Sequence, residues 1–84
     1  MIHLLTKILP GYSYGIYEGK KYGITRSDFN NGKSTKIYAE ELAGTDFVSL
    51  NVYFTSTETL LKPCEMPEEK VLDFLENVSI IKDE

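Results

Sequence analysis

The stretch Asp46–Phe54 alternates apolar and polar positions with a period of two, and it is rich in β-branched and aromatic residues. This pattern is typical of a β-strand. One side of the strand would carry Val48, Leu50, Val52 and Phe54, and the other Phe47 and Tyr53. Apolar groups on both sides predict a central strand, covered fully on one face and partly on the other.

Helical spacing appears at both ends of the chain. Near the start, the i, i+3, i+4, i+7 positions are Met1, Leu4, Leu5 and Ile8; near the end they are Val71, Phe74, Leu75 and Val78. The first pattern predicts a helix over about residues 1–9, which Pro10 and Gly11 end. The second predicts a helix over about residues 67–78 with Pro67 in its first position, and residues 79–84 are expected to fray.

Turn signals divide residues 12–62 into short strands. Gly19 predicts a tight hairpin turn with positive φ, and Asn31–Gly32 predicts a two-residue type I′ turn. Gly15 and Gly23 lie within strands, where they indicate a bulge or an aromatic ring lying across the backbone. Loops this short favour antiparallel neighbours.

The predicted fold is therefore α+β and forms one domain over residues 1–84. A β-meander of about five antiparallel strands spans about residues 12–62, and the two terminal helices pack on the sheet. The composition, with 42% apolar and 26% charged residues, is ordinary for a globular domain.

The residue inventory argues against several classes of chemistry. The one cysteine, Cys64, allows no internal disulfide, and with one histidine, His3, it offers no zinc-ligand spacing. No apolar run is long enough to cross a membrane. We expect a cytoplasmic protein without metal, cofactor or membrane association.

Cys64 is the one candidate for covalent chemistry. It precedes Pro67 closely, and a helix start lowers the pKa of a thiol, but the neighbouring glutamates oppose this effect. A half-buried position at a strand–helix junction is the simpler interpretation. We predict no catalytic residues, with thiol-dependent redox activity at Cys64 as an alternative.

Three segments resemble a family of small bacterial proteins of unassigned role. They are Leu61–Val71, Gly19–Thr25 and Tyr38–Leu42. Some members of that family carry the label peptide methionine sulfoxide reductase. Authentic A-type reductases have a Gly-Cys-Phe-Trp motif and B-type enzymes have paired CxxC ligands; this chain has neither, so the label is not expected to apply.

Aromatic and basic residues provide the remaining functional hypotheses. The candidate interaction face contains Tyr12, Tyr14, Tyr22, Tyr38, Phe47 and Tyr53, and the candidate basic patch contains Lys20, Lys21, Arg26, Lys33 and Lys36. Aromatic rings are enriched in protein interfaces, whereas rings beside cations can also bind single-stranded nucleic acid. The net charge of −4 argues against a polyanion. We predict a non-enzymatic protein-interaction module, with a protein partner or a second copy as ligand, and nucleic-acid binding as an alternative.

Overall fold

The computed structural model describes residues 2–81, and their side chains from residue 4 onward. Its strands are β1 Gly11–Tyr17, β2 Lys20–Phe29, β3 Ser34–Glu41, β4 Phe47–Phe54, β5 Thr59–Pro63 and β6 Ser79–Ile81. Its helices are α1 Ile2–Leu5 and α2 Glu68–Asn77. The strands form one antiparallel sheet in the order β5-β4-β3-β2-β1-β6. An α+β fold built on an antiparallel sheet is thus confirmed.

The prediction of five strands is wrong, because residues 79–81 form β6 beside β1 instead of fraying. Gly15 lies opposite Ile80, and its lack of a side chain leaves room for Val78, which precedes β6. A strand of three residues is too short to show a period in the sequence. Residues 82–84 lie outside the described part of the chain.

The first helix is shorter than the pattern predicts. Within residues 2–9 the structure has one helical turn, Ile2–Leu5, in place of the longer predicted helix, and Met1 lies outside the described residues. The Arg26 guanidinium donates hydrogen bonds to the carbonyls of Leu5 and Ile8, at 3.2 and 2.7 Å. These bonds satisfy carbonyls that a longer helix would have used internally.

The strand β4 is interior but not central. It pairs with β3 on one side and β5 on the other, and it is second from the edge. The prediction of a central strand is wrong in this respect, since β3 and β2 occupy the middle of the sheet. As expected, both sides of β4 carry apolar groups, with Val48, Leu50 and Val52 on the covered side and Phe47 and Tyr53 on the other.

The two faces of the sheet differ completely. The covered face carries the side chains under the helices, and its fully enclosed residues include Ile24, Ile37, Ala39, Val48, Leu50 and Val52. From α2, Val71, Phe74 and Leu75 pack against them. The opposite surface, which we call the open face, is covered by neither helix among the described residues.

The hairpin turns follow glycine and asparagine chemistry. Glu18 and Gly19 both have positive φ, 51° and 76°, and they join Tyr17 to Lys20 in a two-residue turn, which confirms the prediction. The β2–β3 connection differs: it has four residues, from Asn30 to Lys33, and three of them have positive φ. Two overlapping turns, closed by bonds to the carbonyls of Phe29 and Asn30, replace the predicted two-residue turn.

Candidate functional site

The open face is the surface of the sheet with the most exposed aromatic area. Its outward aromatic residues are Tyr12, Tyr14, Phe29, Tyr38, Phe47 and Tyr53. Tyr12 is 56% exposed and Tyr53 is 42% exposed. A contiguous surface of large exposed side chains is typical of a binding site.

One residue of the predicted interaction face lies elsewhere. Tyr22 faces the helices and is only 2% exposed, so its assignment to an open surface is wrong. Tyr22 and Ile24 share one side of β2, and the buried Ile24 decides which side that is. The alternation in the sequence contained this information, because Ile24 is the most apolar residue of the strand.

The rings on the open face form two groups. Tyr12 and Tyr14 pack edge to face with centroids 5.2 Å apart, and Lys21 Nζ lies 4.5 Å from the centroid of Tyr14. On the other side of β2, the rings of Tyr38 and Phe47 are 6.2 Å apart. The exposed Thr25, directly opposite both Tyr12 and Tyr38, lies between the groups.

The absence of a side chain at Gly23 makes room for the Tyr12 ring of the first aromatic group. An added Cβ at this position would meet the ring of Tyr12, so the ring lies across the strand, as the sequence indicates. Gly15 serves the other face, where Val78 and Ile24 approach it closely. The two mid-strand glycines therefore accommodate close contacts on opposite sides of one sheet.

The predicted basic patch does not exist as one surface. Lys21 and Lys36 point outward on the open face, whereas Lys20 and Arg26 point to the covered side. Lys20 forms a salt bridge of 3.9 Å with Glu41, and Arg26 holds the N-terminal segment. Lys33 lies in the β2–β3 turn. Because successive residues of a strand face opposite sides of the sheet, the basic residues of the predicted patch are divided between its two faces.

The open face nevertheless has a positive balance. A third lysine, Lys62, lies outward on β5, and Glu40 is the one acidic strand residue that shares this face in the described part of the chain. Sequence reasoning missed Lys62, because its position depends on the register between β4 and β5. Since the net charge of the whole chain is −4, the rest of the protein has a net charge more negative than −4.

Cys64 lies at the margin of the open face, beyond the end of β5. Its thiol is half-buried, and Asn51 Nδ2 lies 3.3 Å from Sγ, within hydrogen-bonding distance. Its backbone N–H donates to the carbonyl of Ser49 at 2.9 Å. The side chain of His3, the imidazole considered as a base, lies outside the described residues. Thiol redox activity stays a prediction.

A second polar cluster joins α2 to the sheet. The Tyr17 hydroxyl donates to Asp73, the Tyr22 hydroxyl donates to Asp46 at 2.7 Å, and Lys70 pairs with the same Asp46 carboxylate. Burial, followed by these hydrogen bonds, raises the pKa of both phenols, while the bonds from Lys70 and Tyr22 lower the pKa of Asp46. Each phenol proton is donated to a carboxylate, so the cluster ties the helix to the sheet.

The described residues contain no group of three or more His, Cys, Asp or Glu side chains placed to hold a metal ion. None of the helices found in residues 2–81 has the length and apolar character needed to cross a membrane. Comparison of the chain with protein-family models, curated proteins and solved structures finds no match in any of the three. The resemblance to small bacterial proteins and the cytoplasmic location stay predictions.

Proposed function

We propose that the protein is a non-enzymatic interaction module whose open face binds an acidic segment of a partner protein. The observation that carries this proposal is the exposure of two aromatic groups on one sheet surface that also carries an excess of lysines. Tyrosine and phenylalanine supply large contact area at low cost in side-chain entropy. The lysines favour negative charge on the partner.

A second copy of this chain is a poorer ligand for the open face. Stacking two copies face to face would double the lysine excess within one interface, while the glutamates of the pair could neutralise only part of it. Charged residues, lysine among them, are depleted from interface cores in general. We therefore expect the protein to remain monomeric through this surface.

Nucleic acid is the competing ligand, and the Lys21–Tyr14 contact is the observation that favours it. Rings beside cations can stack bases and pair with phosphates. The sequence pI of about 4.9 argues against nucleic-acid binding, because the acidic remainder of the molecule repels a polyanion. A short acidic peptide carries less charge per unit length, so the repulsion is smaller.

The proposal is tested by titrating the isotope-labelled protein and following its backbone amide NMR signals. The probes are a short synthetic peptide of Glu-Glu-Phe-Gly repeats, its Lys-Lys-Phe-Gly counterpart and oligothymidylate of similar length. We expect saturable shifts for Thr25, Ser49 and Asn51 with the acidic peptide and none with the basic one. Tyr38→Ala or Phe47→Ala should weaken binding about tenfold, which equals about 1.4 kcal/mol.

Matched variants keep the result specific. Leu9→Ala removes an apolar side chain that is 70% exposed and lies in the segment before β1, outside the sheet. Lys33→Gln removes a turn lysine, and both variants should bind as the parent does. Lys36→Gln should weaken binding. The proposal fails if only oligothymidylate binds or if neither anionic probe binds. It also fails if the mass from sedimentation is that of a homodimer in which the open face is buried.

A further inference from the structure

A cleft of about 560 Å³ opens at the β1–β6 edge of the sheet. Residues of the N-terminal segment form one wall, and β1 with the end of α2 and β6 forms the other. The volume lies within the range of pockets that bind small organic molecules, about 300–1,000 Å³. Three features of its lining define what such a molecule would be.

The first feature is a polar atom without a partner. Ser13 belongs to the wall of the cleft, and its Oγ is shielded from water and makes no hydrogen bond within the described residues. Buried hydroxyl groups in native proteins are almost always hydrogen-bonded. A rotation about the χ1 bond would present this hydroxyl to a molecule in the cleft.

The second feature is a positive charge held at the same cleft. Lys7 Nζ donates to the carbonyls of Glu76 and Val78, at 3.3 and 3.0 Å, where α2 ends. An ammonium group has three protons, so one donor remains after these two bonds. In the described part of the chain, no carboxylate forms a salt bridge with Lys7.

The third feature is the apolar remainder of the lining. Leu9, Val78, Ile80 and Ile81 contribute hydrocarbon surface, and Leu9 is 70% exposed in the present structure. A leucine this exposed gains free energy when an apolar group covers it. The cleft therefore combines one cation and one unsatisfied hydroxyl with aliphatic walls.

We infer that this cleft binds a small amphipathic carboxylate, such as a medium-chain aliphatic acid. The carboxylate would accept hydrogen bonds from Lys7 Nζ and Ser13 Oγ, and the aliphatic chain would lie against Leu9 and Ile80. Carboxylate oxygens can accept both bonds at once. This site is distinct from the open face, because Ser13 and Ile80 both lie on the covered side of the sheet.

Another cleft, of about 340 Å³, differs in how its polar groups are paired. It also contains a cation and hydroxyl groups, but Arg26 already donates to Asp28 and to two backbone carbonyls. Thr35 donates to the same Asp28 at 2.8 Å. Its polar groups satisfy one another, so it presents no comparable demand for a ligand.

Sodium octanoate is the probe, with 1-octanol and octylamine as neutral and cationic analogues of equal chain length. Titration of the isotope-labelled protein should give saturable amide shifts at Ser13, Ser79 and Ile80 for octanoate. The alcohol should bind more weakly, by about tenfold, because its uncharged hydroxyl has no ionic attraction to the Lys7 ammonium. Equal binding of all three, or octanoate shifts confined to the open face, would overturn the inference.

Two variants separate ligand recognition from folding. Lys7→Met should weaken octanoate binding about tenfold while leaving 1-octanol binding nearly unchanged. This lysine also caps α2, so the variant is used only if its amide spectrum shows the parent fold. A loss of affinity that is equal for the acid and the alcohol would contradict the assignment of Lys7.

Ser13→Ala gives an independent and sharper result. Removal of a buried unsatisfied hydroxyl should raise the melting temperature of the free protein, yet weaken octanoate binding about fivefold. Ser27→Ala, on the other face of the sheet, is the matched control and should leave octanoate affinity unchanged. If Ser13→Ala stabilises the protein without any loss of affinity, the hydroxyl is not a ligand group and the inference fails.

Discussion

The covered face and the open face are built by the same strands, yet they have different chemistry. On the covered face, aliphatic residues such as Ile37 and Leu50 are fully buried in the hydrophobic core. On the open face, the two strand neighbours of Ile37 are Lys36 and Tyr38, a lysine and an aromatic residue. Alternate positions of one strand can therefore specify folding and binding separately, because successive side chains face opposite ways.

The open face also contributes to folding, and this limits how far its composition alone indicates function. Aromatic residues favour strands, and cross-strand pairs such as Tyr38 with Phe47 add about 0.2–1 kcal/mol each. Lysines on an exposed sheet discourage aggregation. Measurements that compare matched residues on the two faces can separate these contributions.

The largest difference is expected between two phenylalanines. Phe74→Ala leaves a cavity among Tyr17, Tyr22 and the aliphatic core, and should lower the free energy of unfolding by about 3–5 kcal/mol. Phe47→Ala on the open face should cost no more than about 1 kcal/mol. Urea unfolding of both variants measures the comparison.

Phe74→Leu serves if the alanine variant does not fold, and it should still cost more than Phe47→Leu. Equal losses at the two positions would mean that the open face is as tightly packed as the covered face. A surface of that kind would not be available to a partner, so the proposed function would fail with the comparison.

Most of the layered architecture could be predicted, because it depends on local patterns. The alternation in residues 46–54, the spacing of Val71, Phe74 and Leu75, and the turn at Gly19 each act over a few residues. The strand β6 could not be predicted, because its pairing with β1 joins positions more than sixty residues apart and leaves no periodic signal in three residues.

The candidate sites show the same division. Tyr12, Tyr14, Tyr38, Phe47 and Tyr53 reach the open face because parity within each strand places them there. The sequence pattern could not show that Lys7 reaches the end of α2, or that Ser13 lacks a partner, since both depend on long-range packing.

A smaller difference is expected between the two mid-strand glycines. A Cβ at Gly15 would lie 2.8 Å from Val78 Cγ2 and 2.9 Å from Ile24 Cδ1, both of which are buried. Gly15→Ala should therefore lower the free energy of unfolding by about 1–3 kcal/mol. Gly23→Ala displaces the exposed Tyr12 ring, which can rotate away, and should cost less than about 1 kcal/mol.

Thermal and urea unfolding of the two glycine variants provide the measurement. The reverse order would show that the Tyr12 ring is fixed in place and that the open face is less adaptable than the exposed rings indicate. In that case the first aromatic group would act mainly in folding, and binding would depend on Tyr38 and Phe47.

The smallest difference concerns charge and pH. The hydrogen bond from Lys70, followed by that from Tyr22, holds the pKa of Asp46 below its ordinary value of 3.8, so ionised Asp46 stabilises the folded state. This contribution is present above about pH 4 and is lost as the pH falls through the lowered folded-state pKa. Because the side chain is 35% exposed, solvent screening limits the contribution to less than about 1 kcal/mol.

Asp46→Asn should therefore flatten the loss of stability on acidification, measured by urea unfolding between neutral pH and about pH 2. Glu40→Gln is the matched control, since this open-face carboxylate has no hydrogen bond or salt bridge in the described part of the chain, and it should retain the parent profile. The pKa of Asp28 is lowered chiefly by the hydrogen bond from Thr35, so Asp28 should account for part of the pH dependence of stability that remains in Asp46→Asn. If Glu40→Gln flattened the profile instead, charge on the open face would be coupled to folding, and the two faces would not be independent.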